Sequence, residues 1–256
     1  MASTCAILGM WDYRMVIAAF ACILIHSGCD IINDIYDIDI DKISKPNGSI
    51  VTGAIPLKTA WIYMIVLFLT ALLISLCLSP ELFLSFLIGI IVGGIMYSHP
   101  LFRLKDKPGV AMADMALCYS LESLGIWSIY APINVNSLMV AVYIFVLVFS
   151  LTFMKDFKDV AGDINSLPIL LGTGRAAKIS AFLAFLPLIP MILLIQKYHF
   201  VAVAAIIYLL LIIGCIKILL GDPVKNGVKL KSWMIMALVV PNFIMFFLTA
   251  VLFGHL

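Results

Sequence analysis

Asn33-Asp34-Ile35-Tyr36-Asp37-Ile38-Asp39-Ile40-Asp41 follows directly on an apolar run at about residues 15–32. Asp34, Asp37 and Asp41 are spaced i, i+3, i+7, which on a helix stacks three carboxylates along one face. The same spacing returns at Asp156, Asp159 and Asp163, within Lys155-Asp156-Phe157-Lys158-Asp159-Val160-Ala161-Gly162-Asp163. Like charges this close repel unless a multivalent cation lies among them. Oxygen-only clusters of this kind suit Mg2+, with the open coordination positions filled by water or by the phosphates of a substrate. A single acidic helix end is ordinarily a solvated cap; a matched pair is not accounted for that way.

Working outward, the rest of the chain is greasy. Hydrophobic residues make up 64% of the 256 positions and charged residues 12%, against roughly 45–50% and 25% in soluble domains. That balance marks an integral membrane protein. Apolar runs near the ~20 residues that a spanning helix needs lie at about 15–32, 58–79, 81–98, 109–131, 136–155, 174–195, 199–220 and 231–254. A transmembrane β-barrel would instead show ~10-residue segments of alternating polarity. The expected fold is therefore all-α, a polytopic bundle of eight spans forming a single domain over residues 1–256. Met1 to Met10 is too short for a span or a complete signal peptide and reads as the stump of one.

Several residue types carry less. The six cysteines, Cys5, Cys22, Cys29, Cys77, Cys118 and Cys215, are scattered through apolar runs without paired spacing, so they read as small buried hydrophobes. His26, His99, His199 and His255 have no ligand spacing among them. Pro187, Pro190 and Pro241 fall inside spans and are expected to kink them. Nothing in the charge distribution calls for a nucleic-acid partner, and the oligomeric state is left open.

Charge placement sets the orientation. The first acid cluster sits at the exit of the first run and the second at the exit of the fifth, so an even number of crossings separates them. With the N-terminus on the opposite face, all of the sixteen basic residues except Arg14 and Lys197 gather on the side of the acids. The positive-inside tendency then places both clusters at the cytoplasmic surface. It leaves unexplained why Asp30, Asp34, Asp37, Asp39 and Asp41 crowd one helix end, where ionisable groups are costly unless compensated. The repetition suggests a two-fold internal plan.

Two Mg2+-competent clusters facing one cavity, ringed by lysine and arginine, form a receptor for a polyanion such as diphosphate, which bound metal makes a better leaving group. A diphosphate ester whose tail prefers lipid is a polyprenyl diphosphate. Loss of diphosphate from its allylic carbon leaves a carbocation, which an aromatic face can stabilise; Tyr36, Tyr97, Tyr119 and Trp127 are the candidates. Two other classes compete. Transport predicts acids spread through the depth of the bilayer rather than gathered at one surface, and a diverged, non-catalytic lipid-binding member would bind diphosphate without turnover.

These residues resemble a known family. Asn33, Asp34, Asp37 and Asp41, with Lys155 to Asp163, look like the two signatures of the UbiA superfamily of intramembrane prenyltransferases. Tyr97-Ser98-His99-Pro100-Leu101-Phe102-Arg103-Leu104-Lys105 is similar to the loop of its homogentisate and chlorophyll branches, and Ser166 to Gly172 matches the stretch after the second signature. The resemblance implies nine spans around a central cavity and Mg2+ as cofactor. It implies diphosphate binding through metal by Asp34, Asp37, Asp41, Asp156, Asp159 and Asp163, with Asn33 beside them. Lys45, Arg103 and Lys105 would contact phosphate, and Tyr97 would lie near the reacting carbon. The acceptor would be lipophilic, either an aromatic ring or geranylgeranylglyceryl phosphate.

The chain departs from the pattern in three ways. The family's first helix has no counterpart in the eight runs. Lys45-Pro46-Asn47-Gly48-Ser49 lacks one expected basic contact, at Gly48, and Asp30 and Asp114 stand where relatives commonly carry Asn. Glu122 is set apart, deep in the fourth run on the same face as Asp114. It either contacts the acceptor, taking its proton or ordering its hydroxyl, or is a structural acid bonded to Ser120, Ser123 or a carbonyl.

Overall fold

A computed structural model describes residues 1–10, 12–158, 160 and 166–252. The described residues form an all-helical bundle: α1 (Ala2–Leu8), α2 (Tyr13–Tyr36), α3 (Ile38–Ser44), α4 (Leu57–Leu78), α5 (Pro80–Gly89), α6 (Pro108–Ser128), α7 (Val135–Thr152), α8 (Leu167–Leu171), α9 (Thr173–Leu183), α10 (Leu188–Ile195), α11 (Val201–Leu220) and α12 (Gly227–Leu252). A π-helical stretch, Ile90–Met96, extends α5, and 3-10 turns cover Leu104–Asp106 and Phe153–Phe157.

Large apolar side chains such as Val16, Phe20, Leu69, Leu73, Ile206 and Leu210 stand exposed on the outer faces. A protein surrounded by water would not tolerate so many; lipid does. Among the described residues, six segments are long and apolar enough to cross a membrane: Tyr13–Tyr36, Leu57–Leu78, Val135–Phe157, Thr173–Ile195, Val201–Leu220 and Gly227–Val251. The chain is thus a multi-pass membrane protein. The other two apolar runs of the sequence fall outside these six. The run at about 81–98 is a shorter apolar helix, Pro80–Met96, and the run at about 109–131 is α6, whose apolar stretch is interrupted by Asp114 and Glu122.

Local signals set the helix ends. Asp12 caps α2 by accepting a hydrogen bond from the Arg14 N–H, Ser79 caps α5 from its hydroxyl, and Asn134 forms a capping box with Ser137 before α7. The chain turns at Ala184–Pro187, so Thr173–Ile195 is two helices, α9 and α10, with Pro187 at the break. Pro241, by contrast, lies within α12.

Two large apolar clusters, with a smaller third around Ala111, Met112 and Phe153, build the bundle. One joins α2, α4, α5 and α6 through Phe68, Leu82, Phe86 and Ile126; the other joins α7 and α9 to α12 through Tyr143, Leu147, Met191, Tyr208 and Ile212. Phe246 on α12 packs against both. Residues 2–8 are a short helix wedged among α6, α7 and α12, with Ser3 to Ile7 buried and Thr4 Oγ1 2.9 Å from Ser123 Oγ.

α2 and α6 run antiparallel, as their ends show. Arg14, at the start of α2, pairs with Asp12 at 2.8 Å and lies over the Tyr130 ring just past α6. At the other rim, Lys105 just before α6 reaches Asn33 near the end of α2. The 24 residues of α2 span roughly 36 Å at 1.5 Å per residue, enough to carry these polar networks to opposite faces of a ~30 Å hydrocarbon core.

Candidate active site

The first acid cluster lies where α2 ends. The helix stops at Tyr36, Asp37 is the junction, and α3 resumes the turn with the Asp41 N–H donating to the Asp37 carbonyl at 2.7 Å. The triplet is divided between two sets of cations. Lys45 Nζ joins Asp34 at 3.2 Å and Asp41 at 3.3 Å. Partial burial pulls the Lys45 ammonium down, and the two carboxylates more than offset this, so it lies above its ordinary range. Asp37 instead faces Lys105, with which it forms a short ion pair, and Arg103, whose Nη2 is 3.5 Å from Asp37 Oδ1. Lys105 also donates to Asn33 Oδ1 at 2.7 Å, and the Ser98 hydroxyl donates to the same oxygen at 3.2 Å.

The loop that supplies these cations is held in a demanding conformation. Arg103 has φ 39°, the only positive φ outside glycine among the described residues. That region costs an L-residue roughly 1–2 kcal/mol. Arg103 Nε bonds Asp106 at 2.8 Å, and Lys105 is anchored on α2.

At the second cluster the described chain leaves the α-helix before its first acid. α7 ends at Thr152, and Asp156 lies in the 3-10 turn Phe153–Phe157, buried among Phe153, Met154 and Phe157. Asp159 and Asp163 lie outside the described residues. Lys155 points towards α6, with Nζ 3.8 Å from Met115 Sδ.

Inward from Asn33 lies a cavity of ≈ 310 Å³, which none of the described acids of the two triplets lines. Its walls are α2, α5, the π-helical stretch and α6; Lys155 is the one lining residue from the second half of the chain among those described. Asn33, Asp30, Tyr97 and Asp114 line it, as do Tyr119, Glu122 and His26 further in. Gly93, on the π-helical wall, leaves room that a Cβ would take, since that atom would meet Cys118 Sγ at 2.8 Å. π-helical segments often mark functional sites.

Of the aromatic candidates, Tyr97 and Tyr119 reach the cavity. Tyr36 packs edge-on against Trp61 and His99, and Trp127 is buried with its Nε1 donating to the Pro132 carbonyl at 3.2 Å. Glu122 bonds neither Ser120, which donates to the Ala141 carbonyl, nor Ser123, which pairs with Thr4. Its partner is His26, at 3.2 Å. Sequence reasoning passed over His26 and Ser98. A signal for His26 existed, since His26, Asp30, Asn33 and Asp37 fall at i, i+4, i+7, i+11 on one face of α2.

The donor chemistry fits Mg2+. Both carboxylate oxygens of buried Asp114, which lines the cavity, have no hydrogen-bond partner, so hard oxygen donors stand unsatisfied there. No group of three His, Cys, Asp or Glu among the described residues forms a complete site. Mg2+ is commonly held by one or two carboxylates and completed by substrate phosphate and water.

Residues 6–239 match the UbiA prenyltransferase family. The chain belongs to that family. Its relatives include digeranylgeranylglyceryl phosphate synthase of Methanosphaera stadtmanae, 28% identical over 81% of this chain and 75% of the relative. The enzyme of that name from Pyrococcus abyssi is 30% identical over 65% of this chain, a match that spans 61% of the relative's own length. A UbiA homologue from Archaeoglobus fulgidus, solved bound to GPP and Mg2+, has the same fold, with TM-score 0.63 over 95% of this chain and 94% of its own at 18% identity. The UbiA architecture therefore accounts for the bundle.

Proposed function

We propose that this chain, as one domain, transfers a prenyl group from a polyprenyl diphosphate to a lipophilic acceptor within the membrane. The observation that carries the reading is the convergence of Asn33, Asp37, Arg103 and Lys105 at the rim of a cavity that Asn33 itself lines. Mg2+, when bound by Asp34, Asp37 and Asp41 with Asp156, Asp159 and Asp163, supplies positive charge that eases departure of diphosphate. Family membership and the Mg2+ and GPP of the Archaeoglobus fulgidus homologue support that assignment.

The chain's own residues do the remaining work. Lys45, Arg103 and Lys105 are held by carboxylates at the rim and turn to phosphate oxygens when the donor arrives, which neutralises the leaving group. Asn33 fixes Lys105. Tyr97 offers its ring to the allylic cation. The names of the relatives favour geranylgeranylglyceryl phosphate over an aromatic ring as acceptor. Eight crossings, with Pro80–Met96 and α6 completing the six longer spans, and both acid clusters at the cytoplasmic face, agree with the distribution of Lys and Arg.

The test is to incubate the membrane-embedded chain with labelled geranylgeranyl diphosphate, Mg2+ and a panel of acceptors. Prenylated product is expected from the unsubstituted chain. Asp34→Ala and Asp159→Ala are expected to abolish turnover while the bundle survives detergent extraction. Full activity of both variants would reject the assignment.

A further inference from the structure

Two turns inward from Asn33 on α2, the cavity has a second polar pole that the donor site does not use. His26 Nε2 lies 3.2 Å from Glu122 Oε2 across the gap between α2 and α6. The imidazole also stacks on Tyr119, with ring centroids 5.1 Å apart and 24° between planes. All three residues line the cavity. An ionised carboxylate only accepts hydrogen bonds, so Glu122 fixes the proton on Nε2 and leaves the lone pair on Nδ1. Nδ1 has no hydrogen-bond partner among the described residues. A histidine oriented by an acid through one nitrogen and open at the other is the arrangement of a general base.

The depth of the pole agrees. Seven residues of helix put His26 roughly 10 Å below Asn33 at 1.5 Å per residue, out of reach of a diphosphate held at the rim. An attacking atom stands about 3–3.5 Å from the carbon it attacks, and a hydrogen bond from it to a base adds about 3 Å. A base serving the attacking atom therefore belongs below the leaving group, and at about this depth.

We propose that His26 is the base that takes the proton of an acceptor hydroxyl and that Glu122 positions it. The proposal rests on the prenyl-transfer reading above. The donor's C1–O bond breaks and its electron pair leaves with diphosphate. A lone pair of the acceptor oxygen forms the new O–C1 bond, and the hydroxyl proton passes to His26 Nδ1. The Glu122 carboxylate stabilises the resulting imidazolium, which later returns the proton to water. No oxidant or reductant enters. His26 touches the reacting group and is catalytic in this scheme; Glu122 acts through it.

The experiment uses the full chain in nanodiscs with Mg2+, labelled geranylgeranyl diphosphate and geranylgeranylglyceryl phosphate as the hydroxyl probe. His26→Gln and His26→Ala are expected to lower kcat for transfer about 100-fold or more, with donor Kd within about twofold of the unsubstituted chain. Imidazole in the buffer is expected to restore part of the His26→Ala rate and to leave the unsubstituted rate unchanged, which no packing role would produce. Glu122→Gln is expected to lower kcat by a smaller factor at unchanged KM. A His26→Gln variant that transfers within about threefold of the unsubstituted rate overturns the proposal, as does loss of donor binding in both His26 variants without rescue. An unsubstituted chain that binds donor yet forms no product with any acceptor overturns the prenyl-transfer reading itself, a result separable from normal transfer by His26→Gln.

Discussion

Lys105 is the side chain on which the rim turns. It sits beside Asn33 and Asp37 of α2 while belonging to the loop before α6, so it ties together two helices far apart in sequence and neutralises a carboxylate whose second oxygen lacks a hydrogen bond. Hydrogen bonds to charged groups contribute roughly 1.5–3 kcal/mol. Lys105→Ala is therefore expected to weaken binding of a prenyl diphosphate by at least about tenfold, since 1.4 kcal/mol corresponds to a factor of ten. Lys105→Arg, which keeps the charge but changes its geometry, is expected to lose less. Titrating donor against the Mg2+-loaded chain by calorimetry checks this, and equal affinity of Lys105→Ala and the unsubstituted chain would remove Lys105 from the phosphate site. At this scale the sequence was largely readable: Asn33, Asp37, Arg103 and Lys105 were all expected at the site from their motifs. His26 and Glu122 were not paired in advance, because 96 positions separate them and no local period reports which faces of two helices will meet.

The elements around the cavity meet through small residues. At Gly125 of α6, an added Cβ would lie 2.8 Å from Leu82 Cα and 2.9 Å from Ser85 Oγ on α5. The first of these is backbone, which cannot rotate aside, so α5 and α6 must separate. Gly125→Ala is expected to destabilise the bundle by roughly 1–3 kcal/mol, the usual cost of overpacking, and to disturb the wall that Ser85 and Phe86 contribute. Gly109→Ala is the control, since a Cβ there has nothing within 4 Å and alanine is the better helix former. Thermal unfolding in detergent should show a lower midpoint for Gly125→Ala and an unchanged or higher one for Gly109→Ala; the reverse order would mean that α5 and α6 do not pack this closely. Helix positions were legible from apolar run length, whereas the local geometry was not. Spacing alone predicted a continuous helix through Asp156, but the chain passes into a 3-10 turn there, and nothing in Ile90 to Met96 announces a π-helix. Both depend on neighbouring helices rather than on local preference.

At the scale of the whole molecule, the placement of Lys and Arg yields a prediction of which side of the membrane carries the chemistry. The rim at the end of α2 holds Lys45, paired with Asp34 and Asp41, and Arg103 and Lys105, paired with Asp37. The opposite rim holds Arg14, paired with Asp12, and Lys197, which donates to Asn136 at 2.8 Å. Cytoplasmic loops gather Lys and Arg because translocating them is unfavourable, so the acid clusters should face the cytoplasm and the water-soluble diphosphate product should be released there. Lys42 and Lys197 are exposed on the two rims and give the test. In intact cells a membrane-impermeant maleimide is expected to label Lys197→Cys and to spare Lys42→Cys until the membrane is permeabilised, with the unsubstituted chain as the blank for its six native cysteines. Labelling of Lys42→Cys in intact cells would invert the bundle, and the diphosphate site would then open on the face opposite to the one where its charge distribution places it.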